Sequence, residues 1–320
     1  MSGLFATIRA RAAEVSRRAK FVRIDALALE RLAESLAGDP PAPPSWDATT
    51  HHVGTPRSTL AYVITLNAIN FGSGWFPKLR KRGGRSGYFT VAMALKDRFD
   101  IEGPWSARDL AELSPVDLAR LLGQSVDDPE VIELLALFAS ALNDLGAFLA
   151  RGYAGSFAAL VESAEGSAER LVRTLAEMPL YRDVSVYEDF EVPFYKRAQI
   201  TVADLSLAFG GASFGRFEDL AELTAFADNL VPHVLRMEGV LQYRQRLGER
   251  IDAGDLLDHG SAEEVEIRAA GLHAVEAIVA AIRARGGATT AQAIDYTLWH
   301  RGQRTEMKAH PRHRARCPYY

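Results

Sequence analysis

Apolar positions along this chain of 320 residues recur at helical spacing far more than at strand spacing. Residues 2–18 and 25–37 read as two amphipathic helices. After them stands GDPPAPPSWD, 38–47, a proline-rich stretch that cannot continue a helix. The pattern therefore divides into an N-terminal helical extension with its linker, 1–47, and a main body, 48–320. A third helix is predicted from Ser58 to Asn67, breaking at NFGSGWF, where Gly72 and Gly74 bracket a turn. SARDLAEL and SPVDLARLLG each open on a serine N-cap, the second with Pro115 at the first helical position. Long helices follow over 128–150 and 156–177. In YRDVSVYEDFEVPFY, 181–195, the period shortens to two, which predicts one small hairpin turning at Glu188–Asp189. Beyond it, helices are predicted at 196–209, 217–227, 231–252, 261–285 and 290–300. The expected fold class is mostly α, a single large helical domain with one small β-hairpin and the N-terminal helical extension.

Composition narrows the function. A net charge of −4 and a pI near 6.1 lack the broad basic surface that nucleic acid binding needs, so any nucleotide ligand is expected to be small. The single cysteine, Cys317, excludes an intramolecular disulfide and a cysteine-built zinc site. HExxH and a GxGxxG following a strand are missing, so no metal and no cofactor is expected. No run reads as the ~20 apolar residues of a membrane span, and the N-terminus lacks the apolar core of a secretory signal. The expectation is a cytoplasmic monomer without a membrane partner.

Several segments carry candidate chemistry. In FYKRAQITVADL, 194–205, Ala198, Val202 and Leu205 continue with Phe209 as one apolar stripe. Lys196 stands near the helix start on another side, and Arg197 and Asp204 share a face. Spacing alone fits a solvated face with weak helix-spaced ion pairs. In FADNLVPHVL, 226–235, Asp228 and Asn229 are flanked by Phe226, Ala227, Leu230 and Val231. A carboxylate in such surroundings caps a helix, is paired, or does chemistry, because burying it unpaired is costly. In IDYTLWHRG, 294–302, Asp295, Leu298 and Trp299 are helix neighbours. Asp295 there is either a first-turn charge favoured by the helix dipole or a carboxylate beside an aromatic platform. VEIRAAGLHAVE offers Glu266, Arg268 and His273, read as a structural ion pair. NAINFGSGWFP supplies Asn67, Asn70, Phe71 and Trp75, which are either packed loop residues or amides and rings that read and stack a base. The tail HPRHRARCPYY reads as surface.

FYKRAQITVADL, LTAFADNLVPHVL, EEVEIRAAGLHAVE, IDYTLW and the terminal HRARCPYY, in this order, resemble the queuosine-salvage protein family. NFGSGWF, SGYFTVAMAL, GSFAALVESAEGSAERLV and YRDVSVYE are similar to it as well, so the resemblance runs from about residue 50 to the end. It implies a helical, DNA-glycosylase-like domain that hydrolyses the N-glycosidic bond of queuosine 5′-phosphate. The product queuine is then reused for tRNA modification. By resemblance Asp228 and Lys196 are the leading site positions and Asp295 the next. Phe226, Asn229, Trp299 and Asp204 join the substrate-binding set, with Asn70, Phe71 and Trp75 expected at the base and His52 and Arg197 near the phosphate. Where relatives carry Tyr-Arg after FAD, this chain has Asn229-Leu230. Rival readings are a non-enzymatic protein that binds a nucleotide or modified RNA, and a nucleobase glycosylase acting on nucleic acid.

Overall fold

A computed structural model describes residues 3–38 and 44–320. In chain order the elements are α1 (Leu4–Arg18), β1 (Val22–Ile24), α2 (Ala26–Gly38), α3 (Pro56–Ala68), α4 (Gly87–Glu102), α5 (Ala107–Glu112), α6 (Pro115–Leu122), α7 (Pro129–Gly152), α8 (Phe157–Glu162) and α9 (Ala168–Leu175). They continue with β2 (Val184–Tyr187), β3 (Phe190–Pro193), α10 (Lys196–Ala208), α11 (Leu230–Met237), β4 (Leu241–Tyr243), α12 (Gln245–Asp252), α13 (Ala262–Ala284), α14 (Ala291–Arg301) and α15 (Thr305–Lys308). The protein is mostly helical, as its periodicity predicts. Residues 39–43 of the proline-rich 38–47 stretch lie outside the described residues.

The chain forms two compact units. One comprises Met1–Pro44, Asp183–Lys196 and Ala221–Arg316, the other Ser45–Arg182, Arg197–Leu220 and Cys317–Tyr320. In the first unit α13 is the central element, packed by α1, α2, α11, α14 and β1. The fit of α1 follows from its spacing: Leu4, Ile8, Ala12 and Val15 fall on one stripe and are buried. Gly271 on α13 lets α11 come close, since a Cβ there would stand 2.8 Å from Pro232 Cγ. The hairpin forms in the expected place, with Val184 paired to Pro193 and Tyr187 to Phe190. Its inward face carries Ser185 and Tyr187, and Val186 is 62% exposed. In the second unit α7 is packed by α3, α5 and α6. Both short helices α5 and α6 begin with a complete capping box, Ser106 with Asp109 and Ser114 with Asp117. α7 spans 24 residues, and an 18-residue window in it has mean hydropathy 1.6, so by length and composition alone it could cross a membrane.

Four expectations are corrected. The helix foreseen over 156–177 is two, α8 and α9, because Glu165 and Gly166 take left-handed φ of 48° and 73°. The helix foreseen over 217–227 shrinks to a single turn at Leu220–Glu222. Asp219, which would have supported it, accepts the N–H groups of Ala168 and Glu169 and so starts α9 instead. The stretch 231–252 contains a strand between two helices, since Gly239 turns the chain at φ 77° and β4 pairs antiparallel with β1. Finally, the C-terminal tail is not surface: His313, Ala315, Cys317 and Tyr320 are buried, and Leu257 N–H donates to Arg314 O at 2.8 Å.

Candidate active site

The first unit gathers its charged interior around Asp183, the residue before β2. Its carboxylate accepts both terminal nitrogens of Arg268 on α13, at 3.0 and 2.7 Å, and the backbone N–H of Lys196 at 3.1 Å. Its carbonyl accepts the N–H groups of Phe194 and Tyr195 at 2.9 and 3.2 Å. Tyr195 takes a left-handed φ of 47°, a conformation that costs a non-glycine residue about 1–2 kcal/mol and delivers Lys196 to the start of α10. Arg268 lies over the Phe194 ring, 4.0 Å from its centroid, and uses its Nε–H on Ala227 O at 2.9 Å. One buried guanidinium therefore fixes both the approach to Lys196 and the residue before Asp228.

A second hold acts on the same segment. Phe226 N–H donates to Asp295 Oδ2 at 2.9 Å, so Asp295 on α14 secures the backbone two residues ahead of Asp228. Asp228 then ends the segment by accepting the N–H groups of Leu230 and Val231, at 2.9 and 3.0 Å, which holds the first turn of α11 from the position before its N-cap, Asn229. Both bonds end on Oδ1, so Oδ2 is spared that structural task. Asn229 is buried and gives its side-chain amide to His313 O at 3.0 Å. Asp228 thus supports the start of α11 and remains the chemical candidate that its sequence context left open.

Electrostatics separate the two carboxylates. Burial pushes Asp228 above the usual carboxylate range, and the Lys196 charge is the strongest influence holding it down, followed by the two backbone N–H groups and Arg312. Burial raises Asp295 well above that range, and the negative charge of Asp228 raises it further, against the Phe226 N–H and Lys196. Two carboxylates sharing one field do not both ionise readily. Both are raised, Asp295 the further of the two, because burial and the Asp228 charge act on it together. Trp299 stands half-buried on the same helix as Asp295, with its ring 5.1 Å from that of His300.

The other sequence candidates belong to the second unit. Arg197 is buried there, donating to the carbonyls of Ala68 and Leu180, with its guanidinium 4.8 Å from the Phe71 ring centroid and 4.4 Å from that of Tyr181. Phe71 also packs edge-on to Phe138, and Trp75 donates its Nε1–H to Glu133 at 2.7 Å. Asn67 donates to Asp204 at 2.8 Å and accepts from Asn70 at 3.0 Å. His52 is buried between Ser58 Oγ at 2.7 Å and Asp100 Oδ1 at 2.5 Å. Among the described residues, no group of three or more His, Cys, Asp or Glu side chains is arranged to hold a metal ion.

Sequence reasoning missed Asp183, whose partners come from residues far away in the chain. It did name Arg268 as half of an ion pair, but Glu266 is not the other half. Glu266 accepts the N–H groups of Lys20, Phe21 and Val22 and the Tyr187 hydroxyl, while Arg268 reaches Asp183. Two residues apart on a helix, Glu266 and Arg268 do not face each other.

The chain matches the queuosine salvage protein family over residues 50–320. A protein of Sphaerobacter thermophilus named queuosine 5′-phosphate N-glycosylase/hydrolase is 37% identical over 311 residues, covering 96% of this chain and 95% of its own. Proteins of the same name from Bos taurus and Schizosaccharomyces pombe are 32% and 34% identical, covering 100% and 79% of this chain and 100% and 77% of their own.

Proposed function

The chain belongs to the queuosine salvage protein family, and from that premise we propose that it hydrolyses the N-glycosidic bond of queuosine 5′-phosphate, releasing queuine. The observation that carries this reading to particular atoms is the carboxylate pair. Asp228 is braced from both sides and has Lys196 to favour its ionised form, while its neighbour Asp295 is raised the further of the two.

In this reaction the bond from ribose C1′ to the base nitrogen breaks and its electron pair leaves with the base. Positive charge develops on the ribose ring, and an ionised carboxylate near C1′ stabilises it. Asp228 supplies that carboxylate. Water then attacks C1′ and gives a proton to Asp228. The base nitrogen takes up a proton from solvent and Asp228 releases its own, so one water is consumed and the products are ribose 5-phosphate and queuine. Lys196 favours the ionised form of Asp228, because a nearby cation lowers a carboxylate's pKa. Asp295 acts through the Phe226 amide as a positioning residue. The Arg268–Asp183 pair performs the same service from the other side, through Ala227 O and Lys196 N. Such fixed geometry matters because small displacements of a reacting group cost large factors in rate.

The test is incubation of the purified protein with queuosine 5′-phosphate, followed by mass spectrometry of the products. Release of free queuine and ribose 5-phosphate is expected. A folded sample that binds the nucleotide and leaves it intact would support the rival reading of a non-enzymatic binding protein.

A further inference from the structure

The carboxylate pair has a cationic neighbour for which the fold supplies no partner. His313 O accepts the side-chain amide of Asn229, which pins the chain at Arg312 beside the segment bearing Asp228. The following residues are pinned too, since Arg314 O accepts Leu257 N–H. Arg312 thus sits on a fixed backbone. Its Nε is enclosed and makes no hydrogen bond, and Arg312 forms no hydrogen bond or ion pair among the described residues.

That is unusual for a half-buried arginine whose Nε is enclosed. Arginine carries five N–H donors and always a positive charge, so enclosure without acceptors is costly. Arg268, in the same unit, shows the ordinary solution, with a bidentate carboxylate and a carbonyl. Around Arg312 the charge is one-sided. Arg314 opposes its protonation and Lys308 is in turn lowered by it; His233 and His313 are lowered by it as well. Among the described residues, the anionic group that favours the Arg312 charge is Asp228. A site with this surplus of positive charge next to the reacting carboxylate calls for an anion from outside the chain.

Resting on the reaction given above, the substrate brings such a group, a phosphate monoester one ribose ring away from C1′. We propose that Arg312 binds the 5′-phosphate of the substrate, with Lys308 and Arg314 strengthening the positive field around it. Phosphate offers several acceptor oxygens and close to two negative charges at neutral pH, which suits an arginine fork. Lys196 is left to its work on the carboxylates. The arrangement makes the enzyme select nucleotide over nucleoside by giving a half-buried arginine, otherwise without a partner among the described residues, an anion to hold.

The experiment compares the full-length protein with Arg312→Ala and Arg312→Lys. The ratio of kcat/KM for queuosine 5′-phosphate to that for queuosine is expected to fall on the order of tenfold to a hundredfold in Arg312→Ala, the scale of a lost charge-assisted hydrogen bond. Arg312→Lys is expected to lie between that variant and wild type. In parallel, inorganic phosphate is titrated as a probe, with melting temperature as the readout. Phosphate should raise the wild-type Tm more than equal ionic strength of chloride does, and Arg312→Ala should lose the difference. An unchanged substrate ratio, or a phosphate response that survives in Arg312→Ala, overturns the proposal. If neither substrate is cleaved by wild type, the reaction assigned to the chain fails, and the phosphate titration still decides the role of Arg312.

Discussion

Around Arg197, in the second unit, a buried guanidinium is met by the carbonyls of Ala68 and Leu180 and by the rings of Phe71 and Tyr181. Nearby, Asp204 accepts from Asn67, which accepts from Asn70. Around Asp228, in the first unit, two carboxylates are both raised by burial, and Arg312 is lowered by burial with no hydrogen bond to offset it. The side-chain types are similar, but the terminal nitrogens of Arg197 have carbonyl acceptors, its Nε alone lacking one, whereas Arg312 makes no hydrogen bond among the described residues and lies beside two carboxylates raised by burial. Groups whose titration is strongly displaced by burial and by specific neighbours concentrate where chemistry is done. The contrast supports the proposal that places the chemistry at the Asp228 group.

The comparison breaks most severely if the brace of the first unit is removed. Arg268→Met leaves Asp183 buried without its cation, which is expected to cost about 3–5 kcal/mol of stability in chemical denaturation. Arg268→Lys should restore only part of that, because an ammonium cannot hold Asp183 bidentately and reach Ala227 O as well. A loss near zero would mean that the segment bearing Asp228 is held by something else.

A smaller effect sharpens the electrostatic half of the contrast. Lys196 lowers the Asp228 pKa against a burial effect that raises it, and the reaction uses the ionised form. Without the cation the folded-state pKa rises further, so a higher pH is needed to ionise Asp228. The acid limb of kcat/KM in Lys196→Met should therefore move to higher pH, and Lys196→Arg should keep it near the wild-type position. A limb that stays put or moves to lower pH would detach Lys196 from Asp228.

Much of the helical framework was legible because its signals are local. The repeating apolar positions of α7 and α13, the Ser106 and Ser114 caps and the alternation at 184–193 each reside within one stretch of chain. The failures come from distant partners. Nothing near 217–227 announces that Asp219 serves α9 or that Phe226 gives its N–H to Asp295. The β1–β4 pair joins residues 22–24 to 241–243, and neither strand is long enough to show a period of its own. For the site, spacing alone left Lys196 on an ordinary helix face and Asp228 as a possible cap. Family resemblance singled them out, and the fold adds the physical link, a shared field with Asp295. Asp183 lies within the family-like YRDVSVYE but nothing local singles it out, since it is defined by its long-range partners, and Arg312 has no local signal because it is defined by not having them.

The central claim is that the ionised Asp228 carboxylate drives glycosidic cleavage, and Asp228→Asn tests it most directly. The amide keeps an oxygen able to accept the Leu230 and Val231 N–H groups, so the variant should fold with near-native stability. Queuine release from queuosine 5′-phosphate should fall ~10²-fold or more, the scale expected for a primary electrostatic or general-base group. A folded Asp228→Asn protein that releases queuine at close to the wild-type rate would contradict the account.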